Sequence, residues 1–310
     1  MAPFMACASP PVLPLALLAS CGALLATSML PARATASSCL DVGDMVMMDR
    51  FRAWQGAHNR SYPSAEEALQ RFDVYRRNAE FIDAVNLRGD LTYQLAENEF
   101  ADLTEEEFLA TYTGCWAFVT AATIESLNMI KTGKLVSLSE QQLVDCDSYD
   151  GGCNLGSYGR AYKWVVENGG LTTEADYPYT ARRGPCNRAK SAHHAAKITG
   201  FGKVPPRNEA ALQAAVARQP VAVAIEVGSG MQFYKGGVYT GPCGTRLAHA
   251  VTVVGYGTDA SSGAKYWTIK NSWGPVMGRA RLHPGFSANV GRPRPCVGVT
   301  LDIAYPTLTL

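Results

Sequence analysis

Three residues in this chain have the types and order of a nucleophilic acyl-transfer centre. Cys115 follows Gly114 and opens the run Trp116 to Lys131. Phe118, Ala122, Glu125 and Met129 recur there at helical steps, and Gly133 is a helix stop. A cysteine in the first turn of a helix meets unpaired backbone N–H groups and the positive end of the helix dipole. Both favour the thiolate, which is the reactive form. A thiolate nucleophile needs a base partner. His249, at the start of the apolar run His249 to Val254, is the candidate. Asn271, in Lys270-Asn271-Ser272-Trp273-Gly274, is suited to orient the imidazole through its other nitrogen. Each residue alone also has an ordinary structural reading: a core cysteine, a structural histidine, a turn. The three together carry the chemistry.

The elements that must hold them fall into two halves. Residues 44 to 88 are charged and helical in character, with Met48, Phe51 and Trp54 at helical spacing. Ser64 and Glu67 form a capping-box pattern before a second helix with Leu69, Phe72, Tyr75, Phe81, Ile82 and Val85 as its apolar positions. An extended piece follows at Leu91 to Leu95, and Thr104-Glu105-Glu106-Glu107 opens a short helix. After the Cys115 helix, Ser139 caps another, and Tyr158 to Glu167 reads as a further helix ended by Gly169-Gly170. Beyond about residue 195 the pattern turns to strands: Pro220 to Ile225, His249 to Val254 and Tyr266 to Lys270. A helical half followed by a β half predicts an α+β fold with a cleft between two lobes.

Composition narrows the function classes. The chain has 310 residues, 47% hydrophobic and 18% charged, with a formal net charge of +1. That length suits one to three domains with an ordinary core, and the composition excludes bulk disorder. Near-neutrality argues against a nucleic-acid partner, which needs a Lys/Arg excess. The cysteine spacing shows no repeated C-x-x-C, so neither a zinc site nor any other metal or cofactor is expected.

The uncharged apolar run at residues 11–30 precedes Ala34-x-Ala36, a small-residue cleavage pattern, so residues 1–36 read as a secretory signal peptide. An uncleaved signal anchor is the alternative, because no Lys or Arg precedes the run. Removal of the signal would leave no membrane segment. Entry into the secretory pathway favours disulfides among the remaining cysteines and makes Asn59-Arg60-Ser61 a usable glycosylation sequon at Asn59.

Cys115-Trp116-Ala117-Phe118, His249 and Asn271-Ser272-Trp273-Gly274 together resemble the papain-like cysteine proteases, whose local signature and approximate spacing are established for the family. Further matches are Leu138-Ser139-Glu140-Gln141-Gln142 through Cys146, Gly151-Gly152-Cys153, Gly241-Pro242-Cys243-Gly244, and Val253 through Gly257. Upstream, Glu67, Arg71, Tyr75, Asn78, Ile82 and Asn86 resemble the helical signature of the family's inhibitory propeptide, with Tyr75 where Phe is usual. Asn98-x-Phe100-x-Asp102 resembles its second signature.

The resemblance implies a two-lobed endopeptidase made as a zymogen. A propeptide domain at 37–112 (core 48–107) would precede a peptidase domain at 113–310. Cys115, His249 and Asn271 would be catalytic. Ser157, Tyr158, Ala224, Leu247, Ala248 and Trp273 would bind substrate, and apolar Ala224 and Leu247 would favour a hydrophobic side chain two residues before the scissile bond. It implies disulfides Cys146–Cys186 and Cys243–Cys296. Its partners would be protein or peptide substrates, its own prodomain and cystatin-type inhibitors. The protein would be a monomer of the vacuole, lysosome or cell exterior, serving protein catabolism.

The chain also departs from the family in two places. About twenty residues that usually separate propeptide from nucleophile are missing, including a Gln that donates to the oxyanion. Phe108-Leu109-Ala110-Thr111-Tyr112-Thr113-Gly114 runs straight into Cys115. Losing one such donor typically costs about 10²–10³ in rate, so a catalytically impaired homologue is the alternative reading. Cys153 is left unpaired on this reading, because its usual partner lay in the missing segment; Cys39 is the one stand-in. The second departure is Pro275 through Pro284, Arg- and Pro-rich where the family has a strand.

Overall fold

The computed structural model describes residues 42–111, 113–241, 245–274, 287–289 and 302–309. The predicted signal segment, Cys243, Cys296 and most of 275–295 lie outside the described residues. Residues from Ser61 onward belong to one compact unit; helix α1 (Val42–His58) belongs to a second, made of residues 10–60. In α1, Phe51 and Trp54 are buried with their rings stacked at 5.8 Å.

The larger unit begins with α2 (Ala65–Asn86). Its N-terminus is set by Ser64, whose hydroxyl accepts from Glu67 N at 3.1 Å. Phe72, Tyr75, Ala79 and Ile82 are buried, while Leu69 and Phe81 stay exposed despite their place in the apolar pattern.

The polar signature positions of α2 hold the segment that follows. Arg71 forks onto Glu107 at 2.8 and 2.9 Å and reaches the Asp102 carbonyl at 3.2 Å. Tyr75 donates to Glu97 at 2.7 Å, and Asn78 donates to the Ala101 and Leu103 carbonyls at 2.8 and 3.0 Å. Asn86 exchanges two bonds with the Leu95 backbone, 2.8 and 2.9 Å. Arg71, Asn78 and Asn86 thereby satisfy backbone groups of the loop. The loop carries strand β1 (Tyr93–Leu95) and leads to α3 (Glu105–Thr111). A full capping box starts α3: Glu107 N donates to Thr104 Oγ1, and Thr104 N donates to Glu107 Oε2.

Helix α4 (Cys115–Thr132) starts at Gly114, which gives no side-chain cap. It ends at Gly133 in the left-handed region (φ 73°), whose N–H bonds the Met129 carbonyl. Helix α4 packs against helices α5 (Glu140–Cys146) and α6 (Tyr158–Asn168) and against the sheet. This central position explains why α4 buries most of its surface, including Trp116, Val119, Ile124 and Leu127.

The sheet contains β1, β2 (Gly200–Lys203), β3 (Val221–Ile225), β4 (Tyr234–Tyr239), β5 (His249–Thr258), β6 (Lys265–Lys270), β7 (Ser287–Asn289) and β8 (Ile303–Thr307). Among the described residues its order is β1-β4-β7-β6-β5-β3-β8-β2. The strands central to the core, β3 and β5, read as continuous β-branched and alanine runs, as expected where both faces are covered.

Three features of the β half were not anticipated. A helix, α7 (Glu209–Val216), lies within it, capped by Asn208 on Ala211 N. Strand β7, just past the Arg- and Pro-rich stretch, bridges β4 and β6. The strand β1 from the upstream region joins the sheet through β4, with Tyr93 opposite Gly237. Gly237 has φ +92°, and a Cβ there would lie 2.2 Å from the Thr92 carbonyl oxygen, so only glycine lets the two backbones meet.

Candidate active site

The three residues singled out by type come together where α4 meets β5 and the end of β6. Cys115 is the first residue of α4. The adjacent strand β5 begins at His249, and Ala250 N donates to Cys115 Sγ at 3.4 Å. β5 pairs antiparallel with β6, Thr252 opposite Lys270, so Asn271 leaves β6 beside the start of β5. Asn271 Oδ1 lies 2.8 Å from His249 Nε2 and also accepts from Ser272 N at 2.9 Å. An amide oxygen only accepts, so this pairing assigns the imidazole proton to Nε2 and leaves Nδ1 as the basic nitrogen. Trp273 stacks on the imidazole at 4.9 Å and is itself 1% exposed.

Burial dominates the electrostatics. It holds His249 down at about 4, partly countered by the Asn271 hydrogen bond. It pushes the Cys115 thiol up, against the pull of backbone N–H groups of Ala250, Trp116 and Cys115 itself. The helix N-terminus therefore does act on the sulfur as its position predicts, but in this state exclusion from water outweighs it. Burial thus works against the charged form of both side chains.

The covering comes from upstream. Phe108 of α3 is fully buried, with its ring edge-on to Trp273 at 4.8 Å and to Phe100 at 5.2 Å. A continuous line thus runs from Arg71 through Glu107 and α3 to Phe108, Trp273 and His249. Neither periodicity nor motif marked Phe108 for this contact; its residue type was the one available signal.

The residues expected to bind substrate lie at the same seam. Tyr158 N-terminates α6 after Ser157 and is buried, with its hydroxyl donating to the Asp302 carbonyl at 2.8 Å. Ala224 N donates to that carbonyl at 3.3 Å. Asp302, which opens the tail segment Asp302 to Pro306 that resembles the family but had no role assigned from sequence, is their common anchor. Leu247 and Ala248 are exposed on the approach to β5. Trp116 Nε1 donates to the Gly152 carbonyl at 3.0 Å, which ties the residue after Cys115 to the 151–157 loop.

Cys146 and Cys186 form a disulfide. Cys153 requires a correction. It is disulfide-bonded, not left over, and its partner lies outside the described residues. The expectation rested on the partner usual in the family, with Cys39 as the one stand-in, whereas pairing depends on which sulfur the fold brings near. Among the described residues Cys115 is the free cysteine. Asn59 is exposed just past α1.

The profile of the papain family cysteine proteases matches residues 110–284, and that of the cathepsin propeptide inhibitor domain (I29) matches residues 51–108. The chain belongs to the papain family of cysteine proteases. Fruit bromelain of Ananas comosus is 37% identical over an alignment covering 84% of this chain and 87% of the relative. Cysteine endopeptidase RepA of Oryza sativa subsp. japonica is 38% identical, covering 83% and 84%. Among solved structures, a recombinant stem bromelain precursor superposes with a TM-score of 0.80 at 35% identity, covering 85% of this chain and 99% of that one. The α+β architecture is that of the papain-family proforms, with a helical propeptide region ahead of the peptidase. The alignment with fruit bromelain runs over 312 positions, more than the part of this chain it covers, so the relative carries residues with no counterpart here.

Proposed function

We propose that this papain-family zymogen is a cysteine endopeptidase acting through Cys115, His249 and Asn271. The supporting observation is the pair of contacts that joins them: Asn271 Oδ1 on His249 Nε2 at 2.8 Å and Ala250 N on Cys115 Sγ at 3.4 Å. In the reaction, His249 Nδ1 takes the thiol proton and the sulfur attacks the peptide carbonyl carbon. The resulting oxyanion faces the Cys115 N–H at the start of α4. The imidazolium then protonates the leaving amine, and water hydrolyses the thioester by the same base. Asn271 keeps the ring in the tautomer this requires. Ser157, Tyr158, Ala224, Leu247, Ala248 and Trp273 line the substrate site.

The same reading takes residues 1–36 as signal, 37–112 as propeptide and 113–310 as peptidase, with a second disulfide at Cys243–Cys296 and a glycan on Asn59. It describes a monomer of the secretory pathway, vacuolar, lysosomal or extracellular, that degrades protein and meets cystatin-type inhibitors. The test is peptide hydrolysis by the acidified chain with and without a thiol-alkylating reagent. The expected result is alkylation-sensitive cleavage that Cys115→Ala abolishes. Equal activity in the variant, or no sensitive cleavage, overturns the proposal.

One observation favours a second reading, a catalytically impaired relative acting as an inhibitor. α3 ends at Thr111 and α4 begins at Cys115, leaving no room for the segment that supplies the oxyanion Gln in the family. On this reading, residues 45–110 added to an intact relative inhibit it; lack of inhibition counts against it.

A further inference from the structure

Two carboxyl groups are buried together at the foot of the 151–157 loop. Asp147 is the C-cap of α5 and is 1% exposed; Asp150 is 7% exposed. One oxygen of each is fully engaged. Asp150 Oδ1 accepts from Ser157 N at 2.9 Å and from Arg160 Nε and Nη2 at 2.8 and 2.6 Å. Asp147 Oδ1 accepts from Tyr149 N at 2.7 Å. The other oxygens, Asp147 Oδ2 and Asp150 Oδ2, are buried and meet no N–H or O–H donor among the described residues. The two side chains are instead hydrogen-bonded to each other. Two carboxylates have no proton to offer one another, so that bond requires one of them to be the acid. The donors from Ser157 and Arg160 favour charge on Asp150, which assigns the proton to Asp147. Burial, with Asp150 alongside, pushes Asp147 up to about 7.

The charges that face Asp147 are Asp150 and, from α6, Arg160. Asp145 of α5 is turned to Gly184 N and Tyr177 OH. Lys163 and Glu167 of α6 are taken up by Tyr149. The stem of Arg183 lies over Gly152, where a Cβ would be 2.5 Å from Arg183 Cδ.

The loop hangs on this pair. Ser157, held through its N–H by Asp150, is the N-cap of α6 and places Tyr158 at the helix start. Gly151 N bonds the Leu155 carbonyl at 2.7 Å, and the Gly152 carbonyl takes Trp116 Nε1. At Gly156 a Cβ would be 2.3 Å from carbons of the Trp116 ring, so the loop backbone lies directly on the residue after Cys115. A displacement of Asp150 is therefore passed to Ser157 and Tyr158 and to Trp116.

We infer that Asp147 and Asp150 are a positioning pair: one proton between Asp147 Oδ2 and Asp150 Oδ2 latches the 151–157 loop in its substrate-binding form, and loss of that proton to solvent releases the loop. The inference rests on the reading of Ser157 and Tyr158 as substrate-binding residues. With the proton present, a carboxyl donates to a carboxylate. Without it, two buried like charges repel and Arg160 serves only Asp150. The folded chain holds this proton more tightly than an unfolded one, so the latch is complete in acid and lost as pH rises through neutrality.

The experiment uses the full chain carrying Cys115→Ala, alone and with Asp147→Asn, whose amide donates to Asp150 at every pH. Infrared difference spectra should show a carboxylic acid band that disappears near neutral pH and is missing from the Asp147→Asn chain. The indole N–H resonance of Trp116 should shift with the same midpoint and stay still in that variant. Between about pH 6 and about pH 8.5 the Tm should fall about 4 °C further in the parent than in Asp147→Asn. With Asp150→Asn, whose amide can donate to an ionised Asp147, the midpoint should drop by about one pH unit or more. Calcium at about 5 mM should leave Tm unchanged; a rise that depends on Asp147 would mean the oxygens meet for a cation and overturns the inference. With Cys115 restored, KM for a peptide should rise about threefold or more between about pH 6 and about pH 8, with kcat following that of Asp147→Asn, whose KM stays flat. The spectroscopic measurements need no activity, so an inactive chain counts against the proposed reaction and leaves this test standing. Absence of the acid band, a Trp116 shift that persists in Asp147→Asn, equal Tm profiles, or a KM that rises equally in both chains each overturns the inference.

Discussion

At His249 and Cys115 the water-excluded setting disfavours the charged form of both side chains, and that has consequences for how the protein responds to acid. The imidazole is held at about 4, below its ordinary 6.5, by burial. Between those values the unfolded chain binds a proton that the closed state does not. The closed state's stability is therefore complete above about pH 6.5 and falls as pH drops toward 4, by up to about 3 kcal/mol. Opening around the site should become easier over that window. We predict that Cys115 in the uncut chain reacts faster with a neutral disulfide reagent as pH falls from 6.5 to 4, although a bare thiol would react more slowly. A flat or falling rate would contradict this. Asp147 works in the opposite sense. Burial, with Asp150 alongside, pushes it up to about 7, so its contribution weakens the fold as pH rises toward neutrality. At Asn271, truncation to Ala removes the hydrogen bond that raises the imidazole's proton affinity. A neutral hydrogen bond of this kind is worth about 1 kcal/mol, so kcat should fall about fivefold to tenfold. Steady-state kinetics should show the loss in kcat with KM nearly unchanged.

At the scale of elements, α3 is the lever. Its capping box and the Arg71–Glu107 fork hold it in place, and Phe108 is its contact with the site. Phe108→Ala should cost about 3–5 kcal/mol of packing at that contact and expose Trp273 and His249 to water. The expected readout is faster alkylation of Cys115 in the intact chain at neutral pH. An unchanged rate would mean that the covering depends on other residues. The helical signature of α2 was legible in the sequence because its spacing reports one face of one helix. Its purpose was not: Arg71 and Tyr75 bond the Glu107 and Glu97 carboxylates, Arg71, Asn78 and Asn86 bond backbone between residues 95 and 103, and only the folded loop shows which groups they satisfy.

Over the whole molecule, the short join between α3 and α4 sets how the zymogen can be opened. The upstream region adds strand β1 to the sheet and seals the site through Phe108, yet it is bonded to the nucleophile helix within a few residues. Separating the two requires a cut between Phe108 and Cys115. N-terminal sequencing of any active form is predicted to find its first residue in that interval. An active form that starts upstream of residue 100 would show that opening proceeds without separation.

The sequence by itself determined the identities and order of the reactive residues, the helix starts at Ser64 and Gly114, the α+β division and the family. These depend on local periodicity, capping and motif spacing, all of which are properties of the chain. Only the tertiary structure decided that Phe108 packs on Trp273, that Asp302 anchors Tyr158 and Ala224, that Cys153 is bridged, and that burial works against the charged forms of the cysteine and histidine. Each of these depends on which distant segments pack together and on how much water they exclude, and no window of neighbouring residues contains that information.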